Sequence, residues 1–519
     1  MLIGELLTKS AKKFPNKLAV ICDTESVSYT ELEYSSNRLA RALIRENIGR
    51  GHNIGIYSTN QIEYPTIFFG AAKSGCVLAH LSVRFSNEEL QNVINNTDIE
   101  ALFVHSNFLE NVLDVVPNAP KLKRIIVFGS LVKVRNGVES LETFIGNESE
   151  SIPNIDIVDT DPFGITFTGG TTGFPKGVVV SHKSRIIGSV RAEREMELEI
   201  NDIMCCSSPL FHIAGLFIWF QTGILMGLTS VLMQAWDPLV FQDLVQQHGI
   251  SAAFMVPTQI NSIISNEGFD PGKLQGLRYI NYGASPTSPA QLQKQIDALP
   301  HVVWQEQYGQ SEAGNLTVRP SKFNMSKSGS VGRPYSDLEL SIFDRDNKRL
   351  PPGDIGEIVT RGVHVMLNYY GDPAQTREIS AGNGWIKTGD VGYLDVDGFL
   401  FLVDRSKDLI ISGGENIFPA EIENALYRHK AVNECAVFGI PDDYWGELPA
   451  AHIVLESGNV VNELELSEFC TKIIGRHKRP RLIKFVDRLP KSAVGKIQKS
   501  KIKEPYWREY DTNTSKSLD

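Results

Sequence analysis

The strongest constraint on the fold of this chain is the alternation of short apolar runs with amphipathic stretches along its first two-thirds. The apolar runs predict strands at residues 18–21, 53–57, 101–104 and 124–128. The amphipathic stretches predict helices at residues 30–47 and 62–74, the first with Thr30 as its N-cap. Strands that alternate with helices form parallel sheets covered by helical layers, so the sequence predicts an α/β fold.

The pattern changes after residue 328, where glycine and proline recur. Residues 339–344 and 356–361 predict strands of a more antiparallel, β-rich subdomain. Beyond residue 404 a smaller alternation begins. It predicts helices at 417–427 and 463–474, a strand at 434–438 and a loose polar tail at 506–519.

These patterns predict two domains joined by a hinge. The large N-terminal domain, residues 1–403, is expected to contain layered α/β subdomains plus the β-rich subdomain. The hinge is placed at residues 404–408. Residues 409–519 are expected to form a small, mobile C-terminal α+β domain.

Charge and cysteine content exclude several classes of protein. Lys plus Arg number 51 against 61 Asp plus Glu, a net charge of −10. Sequence-independent binding to nucleic acid rests on phosphate neutralisation, so we expect no such partner. The six cysteines lack any Cys-x-x-Cys or Cys/His ligand spacing, which predicts reduced thiols in a cytoplasmic protein. The first lysines follow rather than precede the N-terminal apolar patch, unlike those of a signal peptide.

One long run, from Ile203 to Trp236, contains no Asp, Glu, Lys or Arg. Its residues 214–233 would be long enough to span a bilayer. The run nevertheless contains glycines, threonines and a glutamine, and no basic cluster flanks it. We therefore expect no transmembrane segment, but a buried helix that ends near Gly227 and a buried strand at 229–233.

The densest chemical signal lies at residues 168–177, which read Thr-Gly-Gly-Thr-Thr-Gly-Phe-Pro-Lys-Gly between two apolar runs. The glycines let backbone approach a ligand closely, and hydroxyls, amides and a lysine can surround a polyphosphate. The lysine is flanked by proline and glycine, unlike the lysine of an ordinary P-loop. The candidate phosphate-binding residues are Thr168, Gly170, Thr171, Thr172, Gly173 and Lys176.

This segment resembles the phosphate loop of the adenylate-forming superfamily, which includes acyl-CoA synthetases, aryl-CoA ligases, luciferases and peptide-synthetase adenylation domains. Gly169 stands where the family usually has serine. The family's other motifs follow in order, and the resemblance covers essentially the whole chain. It implies binding of ATP and Mg²⁺ and formation of an acyl-adenylate.

Further motifs of the family supply the remaining nucleotide contacts. The segment Tyr308-Gly309-Gln-Ser311-Glu312 resembles a Tyr-Gly-x-Thr-Glu motif. This likeness implies Glu312 as the Mg²⁺ ligand, a hard oxygen donor, and Ser311 near the α-phosphate. Upstream, Gly283, Ala284 and Ser285 resemble the loop beside adenine. Asp390, in Thr-Gly-Asp, is implied as the acceptor of the ribose hydroxyls, with Arg405 as a second contact.

The resemblance also implies residues for the acid and the thiol. His212, in Phe-His-Ile-Ala-Gly, matches the segment that lines the acyl pocket. Lys496, in Lys-Ser-Ala-Val-Gly-Lys, matches the catalytic lysine of adenylation. Gly413 and Gly414 match a loop that faces the pantetheine arm of coenzyme A, and Lys407 matches the hinge about which the small domain turns.

The absence of an acid between Asp202 and Asp237 argues against an amino-acid substrate. The uncharged run predicts an apolar acyl pocket, in which a second carboxylate would be poorly tolerated. The expected reaction joins an aliphatic fatty acid or an aryl acid to CoA, with ATP, Mg²⁺ and coenzyme A as cofactors. A ligase that loads a carrier protein, a luciferase-like oxygenase and a non-catalytic adenylate-binding protein remain open. So does the oligomeric state, for which a homodimer is compatible with the sequence.

Overall fold

The computed structural model describes residues 1–129, 137–168, 174–285, 287–405, 408–412, 415–492 and 495–516. The described residues form four β-sheets. The two largest are mostly parallel and belong to the N-terminal part of the chain. A smaller antiparallel sheet follows them, and the last sheet belongs to the C-terminal part.

The first large sheet has nine strands, and its central strands run parallel. Their order across the sheet is Arg333–Pro334, Gly314–Arg319, Val303–Gln310, Tyr279–Gly283, Ala252–Met255, Ile203–Cys206, Thr229–Leu232, Leu18–Cys22 and Glu25–Ser28.

The second large sheet has eight strands and ends in an antiparallel hairpin. Their order is Asn368–Tyr369, Lys176–Ser181, Pro162–Thr168, Val77–Leu81, Asn53–Tyr57, Ala101–His105, Arg124–Phe128 and Val138–Ser140. Its inner strands are buried along their whole length, as expected of parallel strands covered on both faces.

The two smaller sheets have five strands each. The antiparallel sheet contains Glu339–Phe343, Gly356–Arg361, Trp385–Leu394, Ser380–Gly382 and Leu400–Arg405. The C-terminal sheet contains Glu415–Ile417, Ile410–Ser412, Gly446–Leu455, Val432–Asp442 and Leu482–Phe485. The chain therefore passes from one sheet to the other between residues 405 and 410, where the sequence predicts a hinge; that hinge remains a prediction.

Helices cover these sheets and connect their strands. The α-helices are Ile3–Lys13, Tyr29–Arg45, Tyr64–Ser74, Asn87–Asn96, Leu109–Val115, Leu141–Ile145, His182–Glu195, Gln221–Met226, Pro238–His248, Pro257–Ile264, Pro289–Ala298, Pro373–Glu378, Pro419–Leu426, Glu463–Thr471 and Lys499–Lys516. A π-helix spans Ala214–Phe220, and short 3₁₀ turns lie at Ser106–Phe108, Val116–Asn118, Ser321–Phe323 and Arg476–Lys478.

The long uncharged run is part of the N-terminal core. Its π-helix and the helix Gln221–Met226 pack beneath helix His182–Glu195, and Gly227 ends them in the left-handed conformation. Strand Thr229–Leu232 follows in the first sheet, as predicted, and is buried throughout. Among the described residues, no helix has the length and apolar character needed to cross a membrane.

Several predicted bounds were wrong; the helix predicted at 463–474 ends at Thr471, for example, and the strand predicted at 434–438 spans Val432–Asp442. The first long helix is capped by Ser28 instead of Thr30, because Ser28 and Glu31 form a reciprocal capping box. Ile417 lies in a strand, and the helix after it begins at Pro419. The tail is helical through residue 516, since Trp507 donates to the carbonyl of Gly439 and anchors the helix on the C-terminal sheet.

Candidate active site

Four neighbouring parallel strands of the first sheet bring several of the candidate residues to one edge. Strands Ile203–Cys206, Ala252–Met255, Tyr279–Gly283 and Val303–Gln310 lie side by side and point the same way. The segments that follow them carry His212, Thr258, Ala284 and Glu312, respectively. In α/β sheets, ligands bind outside the carboxyl ends of the strands, which makes this edge the candidate site.

The predicted adenine loop begins where strand Tyr279–Gly283 packs closely against strand Val303–Gln310. Gly283 pairs with Gln307, and a Cβ atom added at Gly283 would lie 2.2 Å from the carbonyl oxygen of Gln307. Ala284 follows with a φ of +66°, in the left-handed region that L-residues rarely adopt. This backbone leads directly to Ser285, and its close packing and strain are typical of functional sites.

Tyr308 and Asp390 join the first sheet to the antiparallel sheet. The hydroxyl of Tyr308 donates a 2.7 Å hydrogen bond to Oδ2 of Asp390. Asp390 lies opposite Arg405 in the antiparallel sheet, although the side chain of Arg405 lies outside the described part of the structure. A carboxylate accepts several hydrogen bonds, so Asp390 can receive ribose hydroxyls while it holds Tyr308.

Glu312 and Lys176 meet at the ring of Tyr369. The hydroxyl of Tyr369 donates a 2.8 Å hydrogen bond to Oε1 of Glu312, and the Nζ of Lys176 lies 5.6 Å from the centre of the same ring. Thr168 pairs with Lys176 across the hairpin. Gly170, Thr171, Thr172 and Gly173 lie outside the described residues.

The surroundings of Glu312 suit a cation that is also bound by phosphate oxygens. Its Oε2 accepts no hydrogen bond from the described residues, and the carboxylate is partly exposed. No group of three or more His, Cys, Asp or Glu side chains in the described part of the chain could hold a metal ion by itself. A magnesium ion here would therefore take one protein carboxylate and the oxygens of ATP, a common arrangement for Mg²⁺.

Two further contacts fix the strand that carries the Tyr-Gly-Gln-Ser-Glu segment. Ser311 is buried, and its carbonyl oxygen accepts a 2.7 Å hydrogen bond from Nη2 of Arg185. A Cβ atom added at Gly309 would lie 2.2 Å from the carbonyl oxygen of Gly314. The backbone of this segment is thus held from both sides, which fixes the position of the Glu312 carboxylate.

His212 is partly buried at the start of the π-helix, and its Nδ1 accepts a 3.3 Å hydrogen bond from the backbone N–H of Ala214. Burial, and to a smaller extent the positive charge of Lys496, lower the pKa of His212 to about 3. The imidazole is therefore neutral near pH 7, with its proton on Nε2. It can donate a hydrogen bond to a carboxylate, but it carries no positive charge.

The turn between Lys491 and Ile497, here called the Lys496 turn, rests against the N-terminal part of the protein. The hydroxyl of Thr258 donates to the carbonyl of Gly495 at 3.4 Å, and Nη1 of Arg84 donates to the carbonyl of Ser492 at 3.0 Å. Gly495 has a φ of +77°. These contacts bring Lys496 to the same edge of the sheet as His212.

The structure thus brings together most of the described candidates. Gly413, Gly414 and Lys407 lie outside the described residues, and their predicted roles stay predictions. Sequence reasoning missed Tyr369, Arg185 and Thr258. Nothing in the sequence near these residues signals a site, because each contacts a partner far along the chain.

Comparison with known proteins accounts for this arrangement. Residues 7–370 match the family described as AMP-binding enzyme, and residues 421–496 match its C-terminal domain. The chain belongs to the AMP-binding enzyme family. The predicted resemblance to adenylate-forming enzymes is thereby confirmed.

The family's curated relatives align over nearly the whole chain. A fatty acid–[acyl-carrier-protein] ligase, ScoC, from Streptomyces coeruleorubidus is 32% identical over 96% of this chain and 95% of its own length. A putative acyl-CoA synthetase, YngI, from Bacillus subtilis strain 168 is 30% identical over 99% and 98%. A feruloyl-CoA synthase from Amycolatopsis is 29% identical over 97% and 99%.

Solved structures share the fold. The anthranilate CoA ligase AuaEII in complex with anthranoyl-AMP superposes with a TM-score of 0.91 at 24% identity, over 98% of both chains. The o-succinylbenzoate CoA synthetase of Bacillus subtilis, bound to its acyl-adenylate, gives a TM-score of 0.83 at 27% identity, over 96% of this chain and 97% of its own. The predicted fold class, a large α/β N-terminal part followed by a small C-terminal domain, is confirmed.

Proposed function

We propose that this AMP-binding enzyme is an acyl-CoA synthetase, an AMP-forming ligase that joins a carboxylic acid to coenzyme A. The acid first attacks the α-phosphate of ATP, which gives an acyl-adenylate and releases pyrophosphate. The thiol of CoA then attacks the acyl carbon, which gives the thioester and releases AMP. The relatives named as acyl-CoA or aryl-CoA ligases support both half-reactions, and the acid is accordingly an aliphatic or aryl acid.

One observation carries the first half-reaction: the Lys496 turn docks beside His212 at the carboxyl edge of the first sheet. A carboxylate that attacks a phosphate brings two anions together, so this step needs positioning and positive charge more than a general base. Lys496 supplies such a charge opposite the strand ends, and Lys176 supplies another at the phosphate hairpin.

The remaining residues orient the substrates. Asp390, held by Tyr308, receives the ribose, and the backbone from Gly283 to Ser285 borders the adenine. Ser311 lies near the α-phosphate, and neutral His212 donates a hydrogen bond to the attacking acid. Glu312, held by Tyr369, would hold Mg²⁺, which when bound neutralises phosphate charge.

The second half-reaction requires a different face of the C-terminal domain. We assign Gly413 and Gly414 to the path of the pantetheine arm and Lys407 to the hinge of residues 404–408, on the family motifs quoted above. When the C-terminal domain turns, the loop that contains Gly413 and Gly414 replaces Lys496 at the active site, so that one site serves both half-reactions. All six cysteines are buried and form no disulfide bond, in keeping with a cytoplasmic enzyme. Whether the enzyme is a homodimer can be tested by light scattering.

The experiment is a pyrophosphate-release assay with purified protein, MgATP and a panel of aliphatic and aryl acids, followed by thioester detection after CoA is added. We expect acid-dependent pyrophosphate release and an acyl-CoA product. Adenylate binding without pyrophosphate release from any acid would instead identify a non-catalytic adenylate-binding protein.

A carrier protein is the second candidate acceptor, because the relative with 32% identity is a ligase of that kind. The same acyl-adenylate would then pass to a phosphopantetheine thiol on a protein. Parallel reactions with free CoA and with a holo-carrier protein separate the two acceptors. Exclusive transfer to the carrier would replace CoA in the proposed reaction.

A further inference from the structure

Arg185 is a buried cation without a buried counter-charge. It is the fourth residue of helix His182–Glu195, and only 2% of its surface is exposed. It forms no ion pair with any described residue, and its Nε donates no hydrogen bond. Nη2 donates to the carbonyl of Ser311, a neutral acceptor. A buried charge of this kind is costly unless something pairs with it.

Two other buried arginines provide the comparison. Arg191, on the same helix, bonds to Asp337 at 2.8 Å. Arg319 bonds to Glu306 at 2.7 Å. Both therefore follow the usual rule for buried charges, which Arg185 breaks within the described part of the chain.

The Arg185 guanidinium lies against the backbone of Gly314. A Cβ atom added at Gly314 would lie 3.0 Å from Nη1 of Arg185, so the absence of a side chain at this glycine leaves room beside the guanidinium. The guanidinium also lies 5.5 Å from the centre of the Phe217 ring, so an aromatic wall borders the same space. The buried Nε of the same guanidinium has no hydrogen-bond partner among the described residues.

This space adjoins the candidate site. Phe217 belongs to the π-helix that begins just after His212, the predicted acyl-pocket residue. Ser311 and Glu312 lie at the other side of the guanidinium, and the charge of Glu312 partly offsets the burial that lowers the pKa of Arg185 to about 9. Arg185 thus remains a cation near neutral pH, at short range from the centre of the proposed reaction.

We propose that Arg185 binds a second carboxylate of the acid substrate, so that the enzyme activates a dicarboxylic acid with a short spacer. This inference rests on the proposed function and specifies its substrate class. The run from Ile203 to Trp236 predicts an apolar acyl pocket. Arg185 belongs to another helix and adds a positive charge to the polarity of that pocket. A guanidinium forms strong, charge-assisted hydrogen bonds with a carboxylate, and Nε of Arg185 is a donor that has no other partner among the described residues.

The test compares matched acids with the wild-type enzyme. Pyrophosphate release is measured for each dicarboxylic acid from malonate to adipate and for the monocarboxylic acid with the same number of carbons. We expect kcat/KM for at least one diacid to exceed that of its monoacid partner at least tenfold. Monoacids preferred at every length would overturn the proposal.

Variants then assign the effect to Arg185. Arg185→Leu should lower kcat/KM for the preferred diacid by roughly 10²- to 10³-fold, the usual loss when one partner of a buried ion pair is removed. The loss for monoacids should be much smaller, because they lose only the contact between Arg185 and the Ser311 carbonyl. Arg185→Lys should retain part of the diacid activity. Arg191→Lys, a change on the same helix, should leave the diacid-to-monoacid ratio unaltered.

The experiment distinguishes failure of this proposal from failure of the proposed function. Equal losses for diacids and monoacids, or a raised Mg²⁺ requirement with both, would assign Arg185 to the support of Ser311 and Glu312 and overturn the proposal. Absence of pyrophosphate release with every acid would defeat the proposed function instead. Calorimetric binding of diacid and monoacid to the wild type and to Arg185→Leu would then decide whether the arginine binds a carboxylate.

Discussion

The hydroxyl of Tyr369 donates a 2.8 Å hydrogen bond to Oε1 of Glu312. Burial and the Glu312 charge both raise the pKa of the Tyr369 phenol, so the hydroxyl stays protonated and remains a donor. Tyr369 leaves Oε2 of Glu312 to other ligands. The tyrosine thereby sets which carboxylate oxygen is presented to the nucleotide.

Replacing Tyr369 with phenylalanine should weaken adenylation by roughly ten- to hundredfold, since a hydrogen bond to a charged group contributes about 1.5–3 kcal/mol. The Mg²⁺ concentration for half-maximal rate should rise as well, because Glu312 is no longer oriented. Pyrophosphate release measured across a Mg²⁺ titration tests this. Tyr370→Phe is the control, since Tyr370 bonds to Asp98 instead. An unchanged Mg²⁺ requirement in Tyr369→Phe would count against the orienting role.

Lys496→Ala should abolish adenylation but spare thioester formation from supplied acyl-adenylate. The lysine charge is needed only while charge builds up on phosphate, and loss of one such donor typically costs ~10²–10³ in rate. The two half-reactions are measured separately. Lys491→Ala, at the start of the same turn and paired with Glu434, should leave adenylation near wild type. Equal loss in both half-reactions would contradict a role limited to the first step.

Gly495→Ala should impair adenylation by obstructing the docking of the Lys496 turn. The added methyl would lie 2.7 Å from Oγ1 of Thr258, at a φ of +77° that disfavours alanine. Reaction of supplied acyl-adenylate with CoA should be retained. If relief of the contact matters, Thr258→Ala should restore part of the activity in the double variant. Failure of the double variant to improve would assign the defect to backbone strain alone.

Folding stability should fall as pH drops below the usual histidine pKa. Burial lowers the pKa of His80 and His364 to about 3 and that of His182 to about 4. Below pH 6.5 the unfolded chain therefore binds protons at these histidines that the folded protein does not bind. Their contribution to the free energy of unfolding is fully present above pH 6.5 and is lost below it. Each such histidine contributes a loss of about 1.4 kcal/mol at pH 5.5.

Glu306 opposes this trend, because burial raises its pKa to about 7 and favours the folded state at lower pH. Together with His212, whose pKa is likewise lowered to about 3, these histidines outweigh one carboxyl, so the net change remains a loss of stability. Urea unfolding at pH 7 and pH 5.5 measures it. His80→Phe keeps an aromatic ring beside Phe217. This variant should reduce the pH dependence of the free energy of unfolding by the contribution of one histidine. A pH dependence as steep as that of the wild type would refute the assignment to His80.

Local sequence identified several strands and helices of this protein. The apolar runs at residues 53–57 and 124–128 became buried parallel strands with the predicted bounds. Such runs are recognisable because burial on both faces requires continuous apolar residues. The motifs that resemble adenylate-forming enzymes were equally local, and they predicted the family and the reaction class.

Tertiary structure decided which side chains meet. Tyr308 reaches Asp390, and Tyr369 reaches Glu312, only because strands distant along the chain become neighbours in or between sheets. The helical tail has the same origin, since Trp507 binds a carbonyl on the C-terminal sheet. Arg185 is the clearest case. Its sequence neighbours give no sign that its charge is buried without an ion-pair partner among the described residues, because burial and pairing depend on every element packed around it.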